Sequence, residues 1–276
     1  MLLPQPNGEF EWVQEPWGAA LVCRPMGAVA HHCFSTRGLE LEGIRADGVP
    51  RWQDLANTMG VGLESLVRMH QVHGADVFEA GRVNAVGRGS PEPHTGKSLP
   101  TAFSFDSCPD ADIAITDDPA VAVSVKAADC VPILLADRRT GAVAAIHAGW
   151  KGTAAGAAIV AVRALTLRYG TNPEDVIAAV GPSIGPCCYE VGPDLAAQFS
   201  SHPEAPTWFS RAEKPHLDLW RATRDQLERA GVPPGQIHVC ALCTFDHAAV
   251  FHSYRRDGKG AGRLVAAVRS AAGRTP

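Results

Sequence analysis

The sequence predicts a single α/β domain in which mixed β-sheets are flanked by helices. Short apolar runs rich in Val, Ile and Ala alternate with Gly- and Pro-containing turns, a pattern typical of β-strands. One long Ala-rich segment instead carries apolar residues at helical spacing. The 276 residues contain no internal repeat and no change of composition suited to a linker. We therefore expect residues 1–276 to form one domain.

Strands and helices can be assigned along the first half of the chain from apolar periodicity. The expected elements are strands at 19–23, 28–34 and 75–80, a helix at 52–59, and a strand that carries His70 and His73. Residues 87–100 are rich in Gly, Pro and Ser, which is typical of a variable surface loop rather than a lid.

The second half of the chain is expected to be richer in strands. They are predicted at 113–116, 121–125, 131–136, 142–146, 176–180 and 237–242, with helices at 153–169, 195–200 and 217–230. Thr153 could cap the first of these helices. The N-terminus of that helix offers free N–H groups and a dipole that favour an anion.

Composition and charge exclude several classes of protein. Hydrophobic residues make up 46% of the chain and charged residues 20%, which is ordinary for a globular protein. The net charge of −4 gives no basic footprint for nucleic acid. No apolar run could span a bilayer, and the first 15 residues do not resemble a signal peptide. We therefore expect a cytoplasmic protein whose eight Cys remain reduced.

The strands at 131–136 and 142–146 surround a charged, Gly-containing stretch, which predicts a β-hairpin. Side chains alternate across a strand, and directly paired residues share a face. A hairpin loop with an even number of residues would therefore place Cys130 and His147 on the same face. This would bring a thiol and an imidazole together near the open end of the hairpin.

A second imidazole is available from His70 or His73. Residues three apart on a strand face opposite ways, so we expect only one of the two to be a ligand. Two His and one Cys would hold zinc with one coordination position open, as catalytic sites do. The alternative is a buried Cys with two hydrogen-bonded core histidines.

Five short motifs resemble those of the YfiH/LACC1 family. Members of this family are also called multicopper polyphenol oxidases (laccases), purine nucleoside phosphorylases or peptidoglycan editing factor. The resemblance runs from about residue 34 to residue 264. The motifs are QVHG at 71–74, ADCVPIL at 128–134, HAGWKG at 147–152, GPSIG at 181–185 followed by CYEV at 188–191, and SYRR at 253–256 with Thr244 upstream.

The resemblance implies a domain of α/β/β/α layers and a zinc ion bound by His73, Cys130 and His147. It also implies phosphorolysis of adenosine, inosine, guanosine and methylthioadenosine, together with adenosine deamination. The expected partners are therefore purine nucleosides and phosphate. After Ser35-Thr36-Arg37 this chain has Gly38-Leu39-Glu40 where the family often has a Gly-Gly-x-Ser element.

Other polar residues near the motifs are candidates for catalysis or phosphate binding. Glu190 is a candidate general acid or base. Asp129 precedes the Cys130 strand and could be catalytic or structural. Arg37 and Lys151 are candidates for phosphate contacts. Of the basic pair at 255–256, Arg255 is expected to complete the pocket while its neighbour faces solvent.

Cysteines outside the ADC motif require a separate interpretation. Cys240 and Cys243 form a Cys-x-x-Cys pair with His238 and His247 nearby, which could indicate a second metal site. Zinc sites of that kind usually have a second spaced pair, so buried core thiols are favoured. Cys187 and Cys188 are adjacent in sequence and cannot easily form a disulfide with each other.

Two other classes of function remain open. A copper-dependent phenol oxidase with several copper ions needs several ligand sets, often in His-x-His pairs, and none of the 11 His forms such a pair. One thiolate with two imidazoles would nevertheless tolerate copper. Alternatively, Cys130 could be a nucleophile with His147 as its base, in an amide hydrolase that acts on a peptidoglycan precursor.

Overall fold

The computed structural model describes residues 3–41, 49–81, 108–210 and 213–271. Within these ranges the chain forms two packed six-stranded sheets with helices on their outer faces. The loop predicted at 87–100 lies outside the described residues. None of the described helices has the length and apolar character needed to cross a membrane.

The described strands and helices are numbered in chain order. The strands are β1 (Phe10–Glu15), β2 (Gly18–Cys23), β3 (Ala30–Ser35), β4 (Leu66–Val67), β5 (Val77–Glu79), β6 (Ile113–Thr116), β7 (Ala122–Ala127), β8 (Val131–Asp137), β9 (Val143–Ala148), β10 (Val176–Val180), β11 (Ile237–Val239) and β12 (Leu264–Ser270). The α-helices are α1 (Arg24–Gly27), α2 (Val49–Thr58), α3 (Trp150–Ala154), α4 (Ala157–Tyr169), α5 (Leu219–Arg229) and α6 (Tyr254–Asp257).

Both sheets are mixed, as the sequence predicts. The first has the order β1-β2-β3-β12-β7-β4 and is antiparallel except for the β4–β7 pair. The second has the order β11-β10-β8-β9-β6-β5, with parallel pairs at its two edges. The β8–β9 hairpin lies at the centre of the second sheet, where both of its faces can be covered.

Alternation along the central strands explains the layering. In β12, Ala266 faces the core between the sheets, whereas Ala267 packs on the outer side with Trp52 of α2. In β8, Leu134 faces the core between the sheets, whereas Leu135 packs on the outer side in the core that contains α4 and α5. Strands covered on both faces are apolar at nearly every position. The α/β/β/α layers implied by the family resemblance are confirmed.

The prediction of one helix at 153–169 is wrong. The structure has α3 and α4 instead, separated at Gly156, whose φ of 75° lies in the left-handed region that favours glycine. Thr153 lies inside α3 and does not cap a helix. By contrast, α5 matches its prediction closely, because the Asp218 side chain accepts a hydrogen bond from the N–H of Arg221 and caps its first turn.

Several shorter elements also differ from the sequence prediction. The strand expected to carry His70 and His73 ends at Val67, and a 3₁₀ helix over Pro193–Phe199 replaces the helix expected at 195–200. Strands β1 and β12 were not predicted. Because β12 pairs with β3 and β7 from distant parts of the chain, its place in the first sheet depends on tertiary contacts rather than on local pattern.

Candidate metal centre

The β8–β9 hairpin brings Cys130 and His147 together. Pro132 pairs with His147 and Val131 with Ala148, so Cys130 lies just before β8 and opposite the end of β9. Ala136 pairs with Val143, which leaves an even number of residues between them. The prediction that Cys130 and His147 share a face is therefore confirmed by the register.

His73 reaches the same place from a bend that follows β4. Its backbone has a φ of 63°, in the left-handed region that non-glycine residues seldom adopt. His70, three residues earlier, is exposed, and its Nδ1 lies 2.8 Å from an oxygen of Asp110. Of these two histidines only His73 joins the cluster, as predicted. The reason differs from the expected one, because a bend in the chain, and not alternation along a strand, separates His70 from His73.

The ligand atoms of His73, Cys130 and His147 all lie within 4.8 Å of one another. The two imidazole rings are 4.9 Å apart and nearly perpendicular. A Cβ atom at Gly149 would lie 2.7 Å from the Cys130 sulfur, so glycine gives the thiol its space. One thiol and two imidazoles in this arrangement could hold a transition-metal ion and leave a fourth position open to the pocket.

Asp112 organises this cluster and was not predicted from the sequence. The carboxylate is fully buried and accepts hydrogen bonds from the main-chain N–H groups of Val72, His73 and Gly74. It also accepts a hydrogen bond from Nδ1 of His147 at 2.8 Å. This bond leaves Nε2 of His147 as the ligand atom, a support that metal-binding histidines usually have. In the sequence, Asp112 is an acidic residue directly before the apolar run 113–116, and that pattern does not indicate its contact with His147.

The three side chains alter one another's ionisation. Burial alone would raise the pKa of Cys130, but the positive charge and hydrogen bond of His147, with a hydrogen bond from His73, lower it to about 6. Burial would lower the pKa of His147, but the Cys130 thiolate and Asp112 raise it. The site therefore favours the thiolate form of Cys130, which is the form that binds metals and acts as a nucleophile.

A pocket of about 590 Å³ opens over the cluster. Its size suits a small organic molecule. Three aromatic side chains, Trp150, Tyr189 and Tyr254, form part of its wall. The other lining residues are His70, Gln71, His73, Lys126, Ala127, Ala128, Asp129, Cys130, His147, Gly149, Ile184, Leu219, Arg255 and Arg263.

The candidate acids Asp129 and Glu190 occupy different environments. Asp129 lines the pocket, and its carboxylate accepts 2.6 Å hydrogen bonds from the Thr244 hydroxyl and the Arg255 N–H. Glu190 is not among the described residues that line the pocket; its carboxylate lies 3.9 Å from Lys214 at the surface. The Glu190 carbonyl accepts a hydrogen bond from the Arg255 guanidinium. Both residues therefore hold Arg255.

Of the three candidate phosphate contacts, Arg255 lines the pocket, with its guanidinium 5.1 Å from the ring centre of Tyr189. Arg37 donates to the carbonyl of Ala248, and Lys151 lies beside the Trp150 ring. Neither Arg37 nor Lys151 belongs to the described pocket lining.

Three other basic residues near the pocket, Arg256, Lys126 and Arg263, differ from the sequence prediction. Arg256 was expected to face solvent, and this prediction is wrong. Its side chain donates hydrogen bonds to the carbonyls of Thr244, Phe245 and Phe251. Lys126 and Arg263, which the sequence analysis missed, line the pocket together with Arg255. No local pattern marks either of them, because Lys126 lies in β7 and Arg263 directly before β12, and the pairing of these strands brings both to the pocket.

Comparison with known proteins identifies the family. The model of the multi-copper polyphenol oxidoreductase laccase family matches residues 44–271. The chain belongs to this family. The match covers all the motifs from which the YfiH/LACC1 resemblance was drawn, and that resemblance is confirmed.

Curated relatives of this laccase-family chain carry a different activity in their names. A purine nucleoside phosphorylase of Deinococcus radiodurans is 35% identical over 264 residues, which cover 91% of this chain and 93% of the relative. Purine nucleoside phosphorylase YlmD of Geobacillus stearothermophilus is 36% identical over 233 residues, which cover 83% of this chain and 81% of the relative. The chain aligns with 60% of the length of a 39% identical purine nucleoside phosphorylase from Bacteroides thetaiotaomicron.

Solved structures support the same family. The crystal structure of YlmD from Geobacillus stearothermophilus matches with a TM-score of 0.78 and 32% identity, and covers 94% of this chain and 98% of that one. The Bacillus licheniformis protein YfiH has a TM-score of 0.76 at 28% identity, with coverage of 91% and 96%. The two mixed sheets flanked by helices are therefore the fold of this family.

Proposed function

We propose that this protein is a zinc-dependent purine nucleoside phosphorylase that also deaminates adenosine. The observation that carries the proposal is the placement of His73, Cys130 and His147 at a pocket that also presents aromatic and basic side chains. The relatives named purine nucleoside phosphorylase support the reaction class. Adenosine, inosine, guanosine and methylthioadenosine are the proposed substrates.

The donor set fits zinc. His147 offers Nε2 because Asp112 occupies its Nδ1, and Gly149 leaves room beside the Cys130 sulfur. One thiolate and two imidazoles are borderline-soft ligands, so copper is the alternative ion. When bound, the metal supplies a Lewis acid and an open coordination position for catalysis.

The residues around the pocket would perform the binding steps of phosphorolysis. In this reaction phosphate attacks the anomeric carbon, the bond from that carbon to the purine breaks, and the purine takes up a proton. Lys126, Arg255 and Arg263 would hold the phosphate by charge-assisted hydrogen bonds. Tyr189 and Tyr254 would cover the purine and exclude water.

Asp129 and Glu190 would act as positioning residues in this proposal. The carboxylate of Asp129 holds the main chain of Arg255, and the carbonyl of Glu190 holds its guanidinium. These contacts would hold the Arg255 side chain at the pocket before phosphate binds. The loss of side-chain entropy on phosphate binding would then be smaller. Cys130 would serve as a metal ligand.

The test is an assay of zinc-loaded, copper-free protein with inosine, with and without phosphate. We expect hypoxanthine and ribose 1-phosphate only when phosphate is supplied, and conversion of adenosine to inosine in a separate assay. His73→Ala should remove activity and the zinc ion at the three-residue centre. The control His31→Ala should keep both, because His31 is exposed and lies outside the cluster and the described pocket lining. Rapid phenol oxidation without release of hypoxanthine would contradict the proposal.

A cysteine hydrolase is the second candidate, and one observation favours it. Cys130, His147 and Asp112 form a chain in which an imidazole lies between a thiol of lowered pKa and a buried carboxylate. Such a chain activates nucleophiles in unrelated hydrolases. Hydrolysis of an amide in a peptidoglycan precursor would persist after chelation, whereas zinc-dependent phosphorolysis would stop.

A further inference from the structure

A second group of potential ligands lies outside the three-residue centre. The sulfur atoms of Cys187, Cys188 and Cys243 and a carboxylate oxygen of Asp246 all lie within 4.8 Å of one another. We call this group the three-thiol cluster. Its members come from two segments, one after β10 and the other after β11, so the fold and not the local sequence assembles it.

The hydrogen bonds of the three-thiol cluster show that its atoms converge. Cys187 donates to Oδ2 of Asp246 at 3.2 Å, and Cys188 donates to Oδ1 at 3.0 Å. The main-chain N–H of Gly185 donates to the Cys243 sulfur at 3.3 Å. Amide donors to sulfur are among the contacts that support metal thiolates in proteins.

A tight turn makes this convergence possible for two adjacent cysteines. The N–H groups of Cys188 and Tyr189 both lie 3.0 Å from the carbonyl of Gly185 and donate to it. The turn reverses the chain within a few residues, so the Cys187 and Cys188 sulfurs point toward the same carboxylate. On an extended strand the two side chains would face opposite ways.

We propose that the three-thiol cluster is a second zinc site with a structural role. Zinc–sulfur bonds are about 2.3 Å, so sulfurs in a tetrahedral site lie roughly 3.8 Å apart. Atoms within 4.8 Å of one another need only a small contraction to reach this geometry. Thiolates select zinc over magnesium or calcium. Four protein ligands leave no open position, which is the arrangement of structural zinc.

This ion would tie together two walls of the pocket. The segment with Cys187 and Cys188 continues into Tyr189, which lines the pocket. Thr244 follows Cys243 directly and donates to Asp129. A cross-link between the segments would fix both walls without contacting substrate. The site does not depend on the reaction proposed above.

The test is zinc content measured after purification under reducing conditions without added metal. We expect about two zinc ions per chain in the unaltered protein and about one in Cys130→Ala. Cys243→Ala in the Cys130→Ala background should bind almost none. Cys240→Ala is the matched control: Cys240 is also buried but lies outside the three-thiol cluster, so the same background should keep about one ion. Absence of zinc from Cys130→Ala would overturn the proposal.

A second measurement leaves the three-thiol cluster without substitution. Cobalt loaded into Cys130→Ala should give the thiolate charge-transfer absorption of a tetrahedral site. Bound zinc should protect Cys187 and Cys188 from alkylation, as read by peptide mapping, and should leave Cys108 reactive. Equal alkylation of Cys187 and Cys188 with and without zinc would overturn the proposal. Neither readout uses nucleoside turnover, so loss of the proposed phosphorylase activity would not alter them.

Discussion

The buried carboxylate of Asp112 lies 2.8 Å from Nδ1 of His147 and fixes which nitrogen of that ring faces Cys130. The same carboxylate accepts the N–H of His73 at 3.1 Å, so one residue positions both histidines. The candidate metal centre is therefore organised by a residue outside the proposed ligand set.

Replacing Asp112 by Asn should weaken zinc binding by about 10- to 100-fold, because the amide cannot hold both histidines as the carboxylate does. Competition with a chromophoric chelator would measure the affinity. Asp110→Asn is the matched control, since Asp110 is exposed and contacts His70 instead. Similar affinities in the two variants would contradict the positioning role of Asp112.

The low pKa of Cys130 should be visible in protein treated with a chelator. Thiolate forms as pH rises through the pKa, so alkylation of Cys130 should be half-maximal near pH 6. Cys240 is an internal comparison: burial raises its pKa to about 12, so it should react slowly at neutral pH. A Cys130 midpoint above pH 8 would contradict the pairing with His147.

Gly149→Ala should reduce zinc affinity on the order of tenfold, because the new Cβ would displace the Cys130 sulfur that lies 2.7 Å away. The backbone of Gly149, with φ of −77°, suits any residue, so the effect would come from lack of space alone. Gly235→Ala is the control, since no atom lies within 4 Å of its added Cβ. Unchanged zinc affinity in Gly149→Ala would show that the thiol can move at no cost.

Phosphate binding should depend on Arg255 more than on Lys151. Arg255→Met should raise the KM for phosphate about tenfold or more, because a charge-assisted hydrogen bond contributes about 1.5–3 kcal/mol. Lys151→Met should change it by less than about twofold, since Lys151 lies outside the described pocket lining. Initial rates at varied phosphate would decide, and the opposite order would restore the expectation from sequence.

Acid stability should depend on His32. Burial lowers its pKa from 6.5 to about 4, and its Nε2 accepts a hydrogen bond from the N–H of Cys23. Folding therefore favours neutral His32: its contribution is complete above pH 6.5 and is lost as pH falls to about 4. At about 1.4 kcal/mol per pKa unit, protonation of His32 lowers the free energy of unfolding by roughly 3 kcal/mol.

Denaturant titrations of His32→Gln across this pH range would measure the contribution. The amide oxygen can accept the same hydrogen bond but does not titrate, so the stability of His32→Gln should fall less with acid. His70→Gln is the control, because the His70 side chain is exposed. Parallel pH profiles for the unaltered protein and His32→Gln would contradict this assignment.

The sequence alone determined that Cys130 and His147 lie together, and the family resemblance added His73 as the third expected ligand. Strand alternation in a hairpin with an even loop is enough to place Cys130 beside His147, because both rules are local and geometric. The central strands were also predictable, since strands covered on both faces must be apolar along their length. The family could also be predicted, because its motifs can be recognised in the sequence without knowledge of the fold.

Only the tertiary structure decided what surrounds these ligands. Asp112, Lys126 and Arg263 come from separate strands and loops, and no local pattern marks a polar side chain that will meet others across a pocket. The three-thiol cluster arises in the same way, from segments that follow the paired strands β10 and β11. Periodicity reports which face of an element is buried, whereas convergence of polar groups depends on long-range pairing that local sequence does not encode.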